Sequence, residues 1–244
     1  MSVALPMLAM ETEMKLQPTT HGSRALTLTE LLVVICVVAV LVAVLLPSLQ
    51  NHHDGRQRIY CINNLKQVDL AFKIWEGDNG DKYPMAVSVT NGGAMELAVT
   101  GNVAGIFRTM SNELATPKVL VCPQDTKRIA GTDFFAGFSN ANISYFVGLD
   151  AEDKYPQMII SGDDNLEVNG VRVRPGILNL PPNTSVEWTE NERHGLPQQR
   201  SILKQHLRIG NLGLADGSVQ TTTTSALQSA LVNTGSATNR LVIP

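Results

Sequence analysis

Apolar positions are distributed very unevenly along the chain. From Leu31 to Leu46 the sequence reads LLVVICVVAVLVAVLL, sixteen positions with no polar side chain other than the Cys36 thiol. A run that is apolar all round asks for lipid rather than for a water-facing surface. Counted from Leu26 it has 21 residues, roughly 31 Å of helix and close to the thickness of a bilayer core. The expectation is therefore a transmembrane span at 26–46. The extension includes Glu30, and a carboxylate in hydrocarbon costs about 2.5 kcal/mol or more, so it must stay near the interface or find a cationic partner.

Beyond Pro47 the pattern changes. Cys61, Leu65, Val68, Phe72 and Trp75 recur at spacings of four, three, four and three, which is one face of a helix. Asn64, Lys66, Asp69 and Lys73 fall on the other side. The helix is expected to lay its apolar stripe on a sheet, turn the polar side to water and end near Gly77, ahead of DNGDKYP. Gly55 beside Asp54 is a point where it can loosen.

The remainder alternates short strand-like runs with turns: ISYFVGL at 143–149, QMIIS at 157–161, VRV at 171–173 and SVEWTE at 185–190. Antiparallel pairing is the natural arrangement. The clearest hairpin is NLGLADGSVQ at 211–220, with Asp216-Gly217 read as the positive-φ pair of a two-residue turn. Ala104 to Leu114 and Ser225 to Leu231 read as short helices. The expected fold class is α+β, a long N-terminal helix with its first half transmembrane, packed on an antiparallel β-sheet.

Composition narrows the functions. The 244 residues, 43% of them hydrophobic, suffice for one medium domain with a buried core. A net charge of −3 offers no basic field for a nucleic acid backbone, so no nucleic acid partner is expected.

An ordinary secretory signal fits poorly, because the run is preceded by thirty residues ending in an acid and followed by PSLQNHHDG without a small-x-small cleavage site. The residues Ala25-Leu26-Thr27-Leu28-Thr29-Glu30-Leu31-Leu32-Val33-Val34-Ile35 instead resemble the cleavage and methylation motif of type IV prepilins and type II secretion pseudopilins, usually G-F-T-L-x-E-L-L-V-V-I. This chain departs from it at Ala25 and Leu26. The resemblance implies a pilin-like fold and cutting by a prepilin peptidase between Ala25 and Leu26, with methylation of the new amine. It makes Glu30 the fifth mature residue and Pro47 the twenty-second, where the family commonly carries a helix-bending proline. In that family the glutamate pairs with the amine of a neighbouring subunit during assembly, so Glu30 and Pro47 are the assembly residues implied here.

The blocks CINNLKQVDLAFKIW, KVLVCPQD, ISYFVGLD and GNLGLADGSVQ look like the same large group. The domains implied are a leader at 1–25, a long helix at 26–78 and a periplasmic globular domain at 79–244. The location implied is the inner membrane, single pass, with the C-terminal domain in the periplasm or in a periplasmic or surface filament. The partners implied are further copies of the chain, the peptidase, other pilins or pseudopilins and the inner-membrane assembly platform. Such leaders are short and basic, and translation from Met14 would supply MKLQPTTHGSRA, so Met14 is the expected start.

In an oxidising periplasm Cys61 and Cys122 can form a disulfide, worth roughly 4 kcal/mol for a loop of this length; the alternative is two separate buried thiols. No cofactor is expected. Calcium is a candidate ligand for the acidic positions Asp78, Asp81, Asp163 and Asp164, although none has EF-hand spacing and solvated turns are the favoured explanation. His52-His53-Asp54 reads as the wet face of the helix. There is no G-x-S-x-G, phosphate loop, H-E-x-x-H or dinucleotide fingerprint, and His194 and His206 stand in no catalytic pattern. No enzyme activity is expected. The rival reading is an uncleaved membrane-anchored periplasmic domain with a binding or hydrolytic role.

Overall fold

A computed structural model of the chain describes residues 27–181, 183–189 and 208–244, the side chains of 45–56 excepted. The chain divides into two compact units, Met1–Gln50 and Asn51–Pro244. Helix α1 is assigned to Leu28–Asp78.

The membrane assignment is corrected. Among the described residues no helix is long and apolar enough to cross a membrane. Nor is the long helix packed along its length, since burial on its described side chains begins only at Cys61. The pilin-like architecture with a transmembrane first half is thereby replaced by an α+β fold with antiparallel sheets, and single-pass inner-membrane anchoring is not supported.

In the second unit, α1 is followed by three short helices, α2 (Met95–Val99), α3 (Val103–Thr109) and α4 (Ser111–Leu114). Then come β1 (Tyr145–Gly148), β2 (Ile159–Asp163), β3 (Leu166–Val168), β4 (Val171–Arg172), β5 (Gly176–Leu180), β6 (Val186–Trp188), β7 (Ile209–Leu214) and β8 (Val219–Thr223). Helix α5 (Thr224–Asn233) and β9 (Asn239–Ile243) complete the described elements. Six strands pair in the order β5-β9-β1-β2-β7-β8 and three more in the order β4-β3-β6, all antiparallel.

The six-stranded sheet is buried on both faces, and its period of two sorts the cores. Tyr145, Val147, Ile160 and Val242 join Cys61, Leu65, Val68, Phe72 and Trp75 of α1 with the short helices. Phe146, Ile159, Leu212, Leu241 and Ile243 face the other way, toward Leu227 and Leu231 of α5 and toward Leu166, Val186 and Trp188 of the small sheet. Each large side chain so buried contributes about 1.5–3 kcal/mol. Two glycines of β7 make room for what crosses it: a Cβ at Gly210 would lie 2.5 Å from the Trp188 ring, and one at Gly213 would lie 1.9 Å from Asp69 Oδ2.

The hairpin β7–β8 differs in detail from its expected turn. The connection is Ala215–Ser218, closed by Gly217 N–H donating to the Leu214 carbonyl at 2.9 Å, and only Gly217 of the expected pair has a positive φ, 80°. Four residues spread the reversal, so Asp216 need not enter the left-handed region.

Asp69 is the larger surprise. It is fully buried, where the sequence pattern places it on the wet side of α1. Ser161 Oγ of β2 donates to Asp69 Oδ1, while Oδ2 has no hydrogen-bond partner among the described residues. Burial pushes the carboxyl up to about 8; the Ser161 hydrogen bond opposes the rise and the charge of Asp216 adds to it. Asp69 is therefore a neutral acid at pH 7.

Cys61 and Cys122 form a disulfide with Cα atoms 4.8 Å apart, tying α1 to the segment after Pro117–Leu120. Tyr145 Oη donates to the Cys61 carbonyl at 3.3 Å.

Two predictions follow from this seam. The folded chain holds the Asp69 proton up to about pH 8, while an unfolded chain releases it near pH 4, so this group's contribution to stability falls as pH rises between those values. Asp69→Asn is expected to stabilise the chain by on the order of 5 kcal/mol more at pH 8 than at pH 4, read as the difference in thermal midpoint. An equal effect at both pH values would show that Asp69 is already ionised in the fold. Cys122→Ala is expected to lower the midpoint by about 10 °C, and reductant to do the same to the wild type but not to the variant.

Candidate functional site

The start of α1 has a local cause. Thr27 N–H and Thr27 Oγ both donate to Glu30 Oε2 at 2.8 Å, and Glu30 N–H donates back to Thr27 Oγ at 3.3 Å. This reciprocal pair is a capping box, Thr-x-x-Glu, which satisfies otherwise orphaned amides of the first turn. The first carbonyl of the helix is engaged as well, by Leu31 N–H at 3.2 Å from Thr27 O.

After the box the helix presents a continuous apolar surface. Leu31, Leu32, Val33, Val34 and Ile35 are each more than half exposed, and Val44 is 68% exposed. Cys36 is a free, exposed thiol within the same stretch. No side of this segment is polar. A helix that is apolar all round belongs inside something, because each of these side chains loses about 25 cal/mol for every Å² left in water.

The predicted site residues stand as follows. Ala25 and Leu26 lie outside the described residues, as does the amine that cutting between them would create. Glu30 is described and bonded to Thr27. The backbone of Pro47 is assigned to α1, while its side chain lies outside the described residues, together with those of His52, His53 and Asp54; His194 and His206 also lie outside them. The role of Thr27 was missed in the sequence, although a Thr followed three residues later by Glu ahead of an apolar run is the signature of such a box.

Of the acidic positions considered for calcium, Asp163 and Asp164 are engaged by other partners. Asp163 Oδ2 accepts from Asn211 N–H at 2.9 Å and Asn211 Nδ2 at 3.0 Å. Asp164 pairs with Arg128, which also meets Asp125 at 3.4 Å, and Asp125 accepts from Ser144 Oγ at 2.8 Å. Asp81 adopts a positive φ of 58° beyond the end of α1. Among the described residues no group of three or more His, Cys, Asp or Glu is placed to hold a metal ion.

No protein-family model, no curated protein and no solved structure matches the chain.

Proposed function

We infer that the chain is a structural subunit of a filament of the type II secretion or type IV pilus kind, cut by a prepilin peptidase before Leu26. The observation that carries this reading is the all-round apolar helix surface at 31–44, exposed in the single chain and opening directly behind A-L-T-L-T-E. Packing against the same segment of other copies removes that surface from water. The capping box lies wholly on the mature side of the cut, so the helix start survives processing. A disulfide between Cys61 and Cys122 supports folding in an oxidising compartment such as the periplasm. The work of such a subunit is mechanical, and the peptidase and fellow pilins or pseudopilins are its partners.

The first test is the mass of the mature N-terminus in cells with and without the peptidase. A chain beginning at methylated Leu26 only when the peptidase is present is the expected result; an unprocessed N-terminus in both sinks the proposal. The second test separates the two roles open to Glu30. Glu30→Gln keeps a residue suited to the capping box but removes the charge. If the charge registers neighbouring subunits, Glu30→Gln and Glu30→Ala both reduce filament recovered by shearing at least about tenfold, the effect of losing roughly 1.4 kcal/mol per contact. Normal assembly of Glu30→Gln beside failure of Glu30→Ala would assign Glu30 to capping alone.

A further inference from the structure

A cleft of about 480 Å³ opens in the second unit between the turn ahead of α3 and the segment Phe138–Asn140, lined by Thr100, Asn102, Arg108, Phe138, Ser139 and Asn140 among others. That is within the range of small-molecule sites, about 300–1,000 Å³. Its frame is held by its own amides. Asn140 Oδ1 accepts from Ala104 N–H and Asn140 Nδ2 donates to the Gly101 carbonyl, both at 2.9 Å. Asn102 Oδ1 accepts from Gly105 N–H at 2.8 Å.

Arg108 is half-buried in this wall. Its Nε donates to the Phe134 carbonyl at 2.8 Å and its Nη2 to the Phe138 carbonyl at 3.3 Å. These bonds fix the plane of the guanidinium and leave three of its five N–H groups free of any acceptor among the described residues. No carboxylate lines the cleft. The one acid of the adjoining loop, Asp133, is turned onto the loop's own backbone, accepting from Phe135 N–H and Ala136 N–H at 2.6 Å each. The site thus holds a braced, unneutralised guanidinium in a neutral polar wall.

We propose that this cleft binds an acidic saccharide, with Arg108 receiving the carboxylate of a uronic acid unit. A fixed guanidinium fork suits a carboxylate. The amide of Asn102 and the hydroxyls of Thr100 and Ser139 match ring hydroxyls. Phe138 closes the back of the cleft as a buried side chain, 6% exposed, so the contacts open to a ligand are polar. A single cation with hydroxyl and amide neighbours fits one negative charge on a hydroxylated ligand better than a doubly charged phosphate. The inference concerns the second unit alone and is independent of filament assembly.

The test is calorimetric titration of the full-length chain, held in a non-ionic detergent, with trigalacturonate, cellotriose and inorganic phosphate. Trigalacturonate is expected to saturate one site, and the two others to bind at least about tenfold more weakly, as loss of a charge-assisted hydrogen bond implies. Ser139→Glu places a carboxylate beside an intact Arg108, and Arg108→Lys keeps the charge but not the fork; each is expected to weaken trigalacturonate about tenfold or more, with a cooperative thermal transition showing that each variant is folded. The proposal is overturned by absence of saturable trigalacturonate binding, by equal binding of cellotriose or phosphate, or by undiminished binding to both folded variants.

Discussion

The second unit is organised by the seam where α1 lies on the six-stranded sheet. Cys61, Leu65, Val68, Phe72 and Trp75 bury one stripe of the helix, and that stripe can be dry only because the opposing strands present Tyr145, Val147, Ile160 and Val242 to it. The helix is fastened at its packed start by the disulfide to Cys122 and farther along by Ser161 donating to Asp69. Because the sheet is covered again on its far face by α5 and the small sheet, its central strands have no wet side. Every polar group on them must be bonded internally or made neutral. Asp69 shows both solutions at once: one oxygen takes the Ser161 hydroxyl, and the proton it retains removes the charge from the other.

Much of this arrangement was legible in the sequence. The spacing of Cys61 to Trp75 named the buried face of α1, and the runs containing Tyr145, Ile159, Val171, Val186 and the 211–220 hairpin fell on strands. What escaped had physical causes. β9, Asn239–Ile243, is inserted between β1 and β5, a long-range pairing that no local pattern announces. β5 reads GILNL with an alternating burial pattern, too short and too close to prolines to stand out. Asp69 was assigned to water because helical periodicity ranks positions by angle alone, whereas its surroundings are set by Gly213 and Ser161, small residues some ninety and more positions away that leave space for a carboxyl.

The cleft at Arg108 was invisible for a related reason. Nothing in N-V-A-G-I-F-R or F-F-A-G-F-S marks a site; it exists because Asn140 ties one segment to the other through Gly101 and Ala104. Asparagine serves here as a cross-brace between two stretches of backbone, using donor and acceptor at once. The Thr27–Glu30 box, by contrast, was fully encoded within four residues.

That box also changes what the N-terminal segment requires. A carboxylate bonded to Thr27 has its hydrogen bonds met within its own turn, so Glu30 does not by itself demand a cationic partner. The demand comes from the residues after it. Eight of the positions from Val33 to Val44 are Val or Ile, β-branched residues that lose rotamer freedom in a helix and give an isolated segment little intrinsic helical stability in water. A helix built from them is favoured where backbone amides find no water and side chains find apolar neighbours. An all-round apolar surface of β-branched residues behind a well-formed cap is thus a helix whose beginning is specified locally and whose persistence depends on what surrounds it.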